Sequence, residues 1–349
     1  MIAFTLDGRP AEVADDGLSL LDVLRERLGA RSAKDGCSPQ GQCGCCTVLV
    51  DGQPRVACVT PARRVAGRSV TTLEGLAPEL RDRWAAAFCA TGASQCGFCT
   101  PGILVRLSAL ATPSPAAVEQ ALLAHLCRCT GWRTIVDAAA LATGPAGTGP
   151  AGGGARDLDA AGRRAAIEGG CPQRVGPDVA LGAGGFAEDT APADALVAVP
   201  AAGGGWAVGE TPAEARRAAG KVQGRATTLA LTHPLEVPPG DWAVTLRTTW
   251  VEPAYLEPDA SWCRPGGEPA TPLANGGAFG GKAASPAPQV ARRLADEHGR
   301  PVRVVLSRED TVRLGPKRPP VAGGIRPDGT GVVRVVRTPG IAAAIRSVA

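Results

Sequence analysis

The sequence predicts an α+β protein built in three structural parts, and three observations predict it. Ten of its twelve cysteines fall within the first 130 residues, most of them in two tight sets. The hydrophobic spacing changes from strand-like to helical near residue 76. A stretch of almost nothing but Gly, Pro and Ala, GPAGTGPAGGGA, then precedes a half in which strand and helix patterns alternate. The expected division is a β-rich domain over 1–76, a helical domain over 77–142, a linker over 143–170 and an α/β half over 171–349.

In the first part, Ile2 to Leu6 and Ala11 to Val13 read as strands around the Asp7-Gly8 turn. Ser19 can cap a helix with the apolar face Leu20, Leu21, Val23, Leu24 and Leu28, and Gly29 can close it. The stretch KDGCSPQGQCGCCTVLVDGQPRVAC follows, carrying Cys37, Cys43, Cys46 and Cys58. Three of these thiols sit on one Gly-rich loop; the fourth arrives beyond strand 47–50, the Asp51-Gly52 turn and a strand over 55–59. Four thiolates so spaced can wrap a [2Fe–2S] cluster, although the first gap is five residues where the plant-type pattern has four. Gly36, Gly41 and Gly44 suit a backbone that must curl closely over inorganic sulfide. The layout is that of a β-grasp ferredoxin.

Other readings of the same cysteines exist. A disulfide framework belongs to short exported chains. Zinc modules pair two C-x2-C knuckles, where this loop has one. Cys45 lies inside the C-x2-C and competes as a ligand; Cys46 is preferred because it leads straight into the strand Thr47 to Val50.

The second part holds QCGFCTPG, with Cys96 and Cys99, and HLCRCTGWR, with Cys127 and Cys129. The segment after Cys99 carries Ile103, Leu104, Leu107 and Leu110 at helical spacing, and the next carries Val118, Leu122 and Leu123. Two antiparallel helices would bring the four thiols into a second cage. His125 is read as a packing or capping residue, and Cys89, Cys171 and Cys263 as small apolar ones.

Composition excludes several classes. The net charge is +4, from 37 basic and 33 acidic residues, with arginines scattered among acids, so no nucleic-acid surface is expected. There is no run of about 18 apolar residues, and Asp7 interrupts any signal-peptide core, so no membrane span or export is expected. Cysteine-rich but unexported, the chain is assigned to the cytoplasm. With one Tyr, one Met and five Phe, the core must be made of Ala, Val and Leu.

The motifs GQCGCCTV, QCGFCTPG and LCRCTGWR together resemble the iron–sulfur portion of the molybdenum hydroxylases, the xanthine dehydrogenase and aldehyde oxidase family. The resemblance implies two [2Fe–2S] clusters, a β-grasp domain followed by a helical one, and a contact from Gln95 to a molybdopterin cofactor. GAGGFAEDTAP, ETPAEARRAA, TTWVEPAYLEPDA and NGGAFGGK extend the likeness, in shortened form, to the opening of the molybdenum-binding subunit. By that resemblance Gly276, Gly277, Ala278, Phe279, Gly280 and Gly281 present backbone amides to the cofactor, as consecutive glycines can. Ala283 stands where purine-oxidising members carry a Glu. The loop bearing the family's glutamate base and its flavin domain have no counterpart in this sequence, so no catalytic residue is assigned.

Elsewhere in this half, Thr211 caps a helix over AEARRAAGKV, and Ser285-Pro286 starts one that runs to His298 and Gly299. Val302 to Leu306, Ala243 to Val251 and Val332 to Arg337 read as strands. GAGGFA is not taken as a dinucleotide fingerprint, because no βαβ unit surrounds it. The expected role is an electron-transfer subunit, with a molybdenum-binding catalytic subunit and an FAD-binding subunit as partners. The alternative is a cluster-bearing redox sensor with no molybdenum partner.

Overall fold

The structure is a computed structural model, and it describes residues 1–37, 39–144, 156–167, 173–220, 233–251, 255–271, 277, 284–315, 317–338 and 340–348. The first sheet contains β1 (Ile2–Leu6), β2 (Arg9–Val13), β3 (Thr47–Val50), β4 (Gln53–Val56) and β5 (Ser69–Thr71) in the order β2-β1-β5-β3-β4. The central pair β1 and β5 is parallel and the remaining pairs are antiparallel. Asp7-Gly8 and Asp51-Gly52 make the two tight turns, all four residues having positive φ, as the twist of two-residue hairpins favours.

Ser19 caps the helical segment as expected, its hydroxyl accepting from the Asp22 N–H at 3.1 Å. The expected single α-helix is instead one α turn, Leu20–Asp22, that widens into a π turn, Val23–Arg27. The wider turn keeps Leu20, Leu21, Val23 and Leu24 buried together against Phe4, Val48, Val50 and Val70 of the sheet. Strand β4 also ends sooner than expected. Cys58 lies on a 3-10 turn, Ala57–Val59, rather than on a strand, because the Ala57 N–H bonds back to the Cys46 carbonyl at 3.2 Å.

Four helices form the second part: α1 (Pro78–Thr91), α2 (Thr100–Ser108), α3 (Pro115–Ala121) and α4 (Trp132–Thr143). Helix α1 stops at Gly92, in the left-handed region at φ +75°. Trp84, Phe88, Ile103, Leu104, Leu107, Ile135 and Ala139 make the shared core. Three residues depart from the helical reading. Leu110 lies beyond the end of α2, Leu122 is the cap residue after α3, and Leu123, further on, is 75% exposed. The segment read as linker contains helix α5 (Leu158–Ile167), started by the Asp157 carboxylate accepting from the Ala160 N–H at 2.8 Å. Leu158 packs on Ala85, Cys89 and Ala180, which gives this helix an apolar anchor. Residues 145–155 and 168–170 of that segment lie outside the described residues.

In the second half the strands are β6 (Leu196–Pro200), β7 (Trp206–Gly209), β8 (Val244–Arg247), β9 (Ala260–Cys263), β10 (Val302–Val305), β11 (Val321–Ile325) and β12 (Gly331–Val335). They form two sheets, β7-β6-β10-β9 and β12-β11-β8. Helix α6 (Ala287–His298) lays Ala287, Ala291, Leu294 and Ala295 on the first of these, and Gly299 at φ +63° ends it. Small alanines on this face are what let a helix approach a sheet in a chain with so few large side chains.

A buried charge network docks this half on the ferredoxin-like part. The Arg25 guanidinium meets Asp189 at 2.9 Å and Glu188 at 3.7 Å. The Lys34 ammonium is also paired with Asp189 and donates to the Gly182 carbonyl at 3.1 Å. Arg303 reaches Glu26 at 2.8 Å, and Arg216 bridges Asp35 at 3.2 Å and Asp22 at 3.4 Å. Burial pushes the Lys34 ammonium below its usual range against the pull of Asp189. Two cations therefore share the Asp189 carboxylate, with Glu188 as a second counterion for Arg25. Asp189→Asn is expected to destabilise docking by about 3–5 kcal/mol, the cost of stranding a buried charge. Denaturant unfolding checks this, and an unchanged midpoint would contradict it.

Candidate metal centres

The first cage forms where the loop before β3 folds over itself. The Gln40 N–H donates to Cys37 Sγ at 3.2 Å, and the Cys58 N–H to Cys46 Sγ at 3.5 Å. Gly41 and Gly44 take φ of +67° and +71°, so the tight curl needs glycine at both. Gly36 does not; there a side chain would meet Cys43 Sγ at 3.1 Å and Cys45 Sγ at 3.2 Å, so closeness rather than φ demands glycine. Cys37 hydrogen-bonds Cys43 and Cys58, and Cys58 hydrogen-bonds Cys46. All four thiols are buried.

The second cage gathers the two predicted pairs. Cys96 and Cys99 flank the bend that begins α2, and Cys127 and Cys129 lie on the loop ahead of α4. Cys129 Sγ is 3.4 Å from Cys96 Sγ, and Cys99 bonds Cys127. The Thr130 hydroxyl lies 3.1 Å from Cys127 Sγ. Cys99 is buried; the other three are partly exposed.

Proton affinities show the crowding. Hydrogen bonds from Cys43 and then Cys58 drive the Cys37 thiol far below its ordinary value, while Cys37 holds Cys43 and Cys58 far above theirs. In the second cage the Cys99 hydrogen bond lowers Cys127 to about 6. Cys99 is raised by Cys127 and by burial, and Cys129 by Cys96 and by burial. Thiolates this close repel one another unless cations lie among them. In the second cage the contacts run in two pairs, Cys96 with Cys129 and Cys99 with Cys127; in the first they run as a chain, Cys43 to Cys37 to Cys58 to Cys46. Among the described residues no three His, Cys, Asp or Glu side chains converge as a single ion needs. Four thiolates in each cage, two for each iron, suit a diiron rhomb.

Cys45 is fully buried, with its S–H turned to the Cys43 carbonyl at 3.7 Å. Burial raises its thiol, and its neighbours include Cys43, Cys46 and Cys127, so it lies on the wall between the cages. Gln95 is half-buried at the bend before Cys96. Of the Gly-rich loop, Gly276, Ala278, Phe279, Gly280 and Gly281 lie outside the described residues, as does Cys171. Gly277 sits at φ +86°, where a side chain would come within 3.0 Å of Arg128 Cβ and 3.6 Å of Cys129 Sγ. The second half thus reaches the second cage.

Sequence reasoning did not find the residues that join the cages. The Leu126 N–H donates to the Cys43 carbonyl at 2.9 Å. His125, 5% exposed, places Nε2 3.0 Å from the Thr47 hydroxyl. Burial, then Arg106, lowers the imidazole to about 4, so it stays neutral. A side chain on Gly44 would overlap the His125 ring at 2.4 Å, and one on Gly102 would strike the Gly44 carbonyl at 2.3 Å. From the second half, Phe186 meets Phe98 edge-on with centroids 5.1 Å apart, and Val179 crowds Gly97. The advance signal was the glycine content of these motifs, read there as serving the curl of the cluster loop alone.

Two thiol cages, one in a β-grasp sheet and one among helices, define an iron–sulfur protein with a pair of diiron domains. The sequence matches the families described as "2Fe-2S iron-sulfur cluster binding domain" over residues 4–68 and "[2Fe-2S] binding domain" over 72–140. Over 144 residues it is 40% identical to the xanthine dehydrogenase iron-sulfur-binding subunit of Escherichia coli O157:H7, a match covering 39% of this chain and 89% of that protein. It is 39% identical over 131 residues to the nicotinate dehydrogenase small FeS subunit of Eubacterium barkeri, covering 35% of this chain and 81% of that one. The chain belongs to the xanthine dehydrogenase and aldehyde oxidase family of molybdenum hydroxylases, as an iron–sulfur, electron-transferring member. The aldehyde oxidoreductase structure from Desulfovibrio gigas aligns with 95% of this chain and 53% of its own, at TM-score 0.63 and 21% identity. That likeness shows the fold, and it extends into the second half.

The junction gives a direct test. Gly44→Ala combines a left-handed backbone with the His125 overlap, and is expected to cost about 2–4 kcal/mol. Gly52→Ala has a similar φ of +74° but meets open space, and should cost only about 1–2 kcal/mol. Equal losses in thermal unfolding would contradict the close junction.

Proposed function

We propose that Cys37, Cys43, Cys46 and Cys58 hold one [2Fe–2S] cluster and that Cys96, Cys99, Cys127 and Cys129 hold the other. When bound, the clusters supply one-electron redox chemistry, carrying electrons from a molybdopterin site to a flavin or other acceptor. The convergence of four thiols in each cage, linked in a chain in the first and in two pairs in the second, is the observation that carries this reading. The chain's own residues keep water from the first cage, direct the Gln40 and Cys58 N–H groups at sulfur and fix the cages side by side. Such N–H donors and burial are the means by which a protein sets a cluster's potential.

The molybdenum cofactor belongs to a catalytic partner subunit in this reading, and an FAD-binding subunit takes the electrons onward. In this reading Gln95, Gly276, Gly277, Ala278, Phe279, Gly280 and Gly281 are assigned as contacts of the molybdenum cofactor; the place of Gly277 beside Cys129 supports this. The cytoplasm, where thiols stay reduced, is the compartment that suits free cysteines. No described helix is long and apolar enough to cross a membrane.

Anaerobically purified protein should contain about four iron and four labile sulfide per chain, two of each per cluster. Cys58→Ser and Cys129→Ser should each remove about half of that iron. Stoichiometric zinc with no visible absorption would overturn the proposal. Purification from the native host should bring a molybdenum-containing chain with it, and its absence would remove the partner assignment.

A further inference from the structure

The residues between the cages do more than fill space. Thr47 follows Cys46 directly, and His125 stands two residues before Cys127, so a bond between them spans the two ligand loops. The Thr47 hydroxyl already donates its proton to the Gly44 carbonyl at 2.7 Å. Its oxygen can then only accept, which makes His125 Nε2 the donor across the 3.0 Å contact. This leaves Nδ1 without a proton, and that atom is buried with no hydrogen-bond partner. An unpaired buried acceptor is costly. An apolar side chain would fill the same volume without that cost, so packing alone does not account for a histidine here.

Three contacts surround this bond. The imidazole rests on the bare Cα of Gly44, the Leu126 N–H holds the Cys43 carbonyl at 2.9 Å, and helix α2 brings Gly102 onto Gly44. Each joins the first ligand loop to the second domain, and the His125–Thr47 bond is the side-chain member of the group. Chains of this kind, fully enclosed, hold geometry more tightly than isolated contacts do.

We propose that His125 is a positioning residue whose Nε2–H···Oγ1 bond to Thr47 fixes the separation and mutual orientation of the two iron–sulfur centres. This inference rests on the proposed function of the eight cysteines. The residue touches neither reacting atoms nor the cage thiols in this role; it acts through the loop that carries Cys43 and Cys46.

The test uses the full chain reduced anaerobically. Iron is counted first, and then the magnetic interaction between the two reduced centres is read from the splitting of their electron paramagnetic resonance signals. In His125→Phe, which keeps a ring, and Thr47→Val, which keeps the shape, iron should remain at the wild-type level while the splitting is lost or smeared. His125→Gln, whose amide reaches the Nε2 position, should restore it. Wild-type splitting in both the Phe and Val variants would overturn the inference, as would failure of Gln to differ from Phe. Loss of iron from Thr47→Val would overturn it too, by showing that the bond supports ligation rather than spacing. Absence of iron from the wild-type chain would instead sink the ligand assignment, and this inference with it.

Discussion

The two cages can be neighbours only because the loop over 43–47 and the loop over 124–127 meet with almost no side chain between them. Gly44 is bare against the His125 ring, and Gly102 is bare against the Gly44 carbonyl. Electron transfer between cofactors needs closeness, and closeness between two folded domains needs backbone approach that any Cβ would prevent. The glycines of GQCGCC and CTPG are thus serving the contact between domains as well as the local curl. The same logic explains why Cys45 is fully buried: its place in the first motif is part of the wall that the second domain packs against.

Docking of the second half uses different physics. The ferredoxin-like part contributes Arg25, Lys34, Glu26 and Asp35, the second half contributes Asp189, Arg303 and Arg216, and each charge finds its counterion across the boundary. An interface of this kind is specific more than it is strong, since desolvation of the ions offsets much of their attraction. It orients the second half so that Gly184 and Phe186 lie along the loop of Cys96 and Cys99, and Gly277 lies beside Cys129. The second half therefore stands against the second cage at Gly277.

Much of this was legible in the residues. Strands β1 and β3, the two Asp-Gly turns, the Ser19 cap and both thiol sets follow from spacing and turn chemistry that act locally. What was not legible depends on partners distant in sequence. The π turn at Val23–Arg27 answers the fit of four apolar side chains to a sheet, and the 3-10 turn at Cys58 answers a carbonyl at Cys46. Helix α5 hid in a Gly-rich stretch because its anchor is a single Leu158 against another helix. His125 is buried, as its reading as a packing residue implies, but its partner Thr47 is 78 positions away and no periodicity points to it.

Everything derived for the cages requires two separate diiron centres in one chain. The most direct measurement is electron paramagnetic resonance of the fully reduced protein at low temperature, with spins counted against chains. Two distinct signals, one per cage and each integrating to one spin, are what eight thiolates in two cages predict. A single signal, or a reduced protein with no paramagnetic iron, would contradict it.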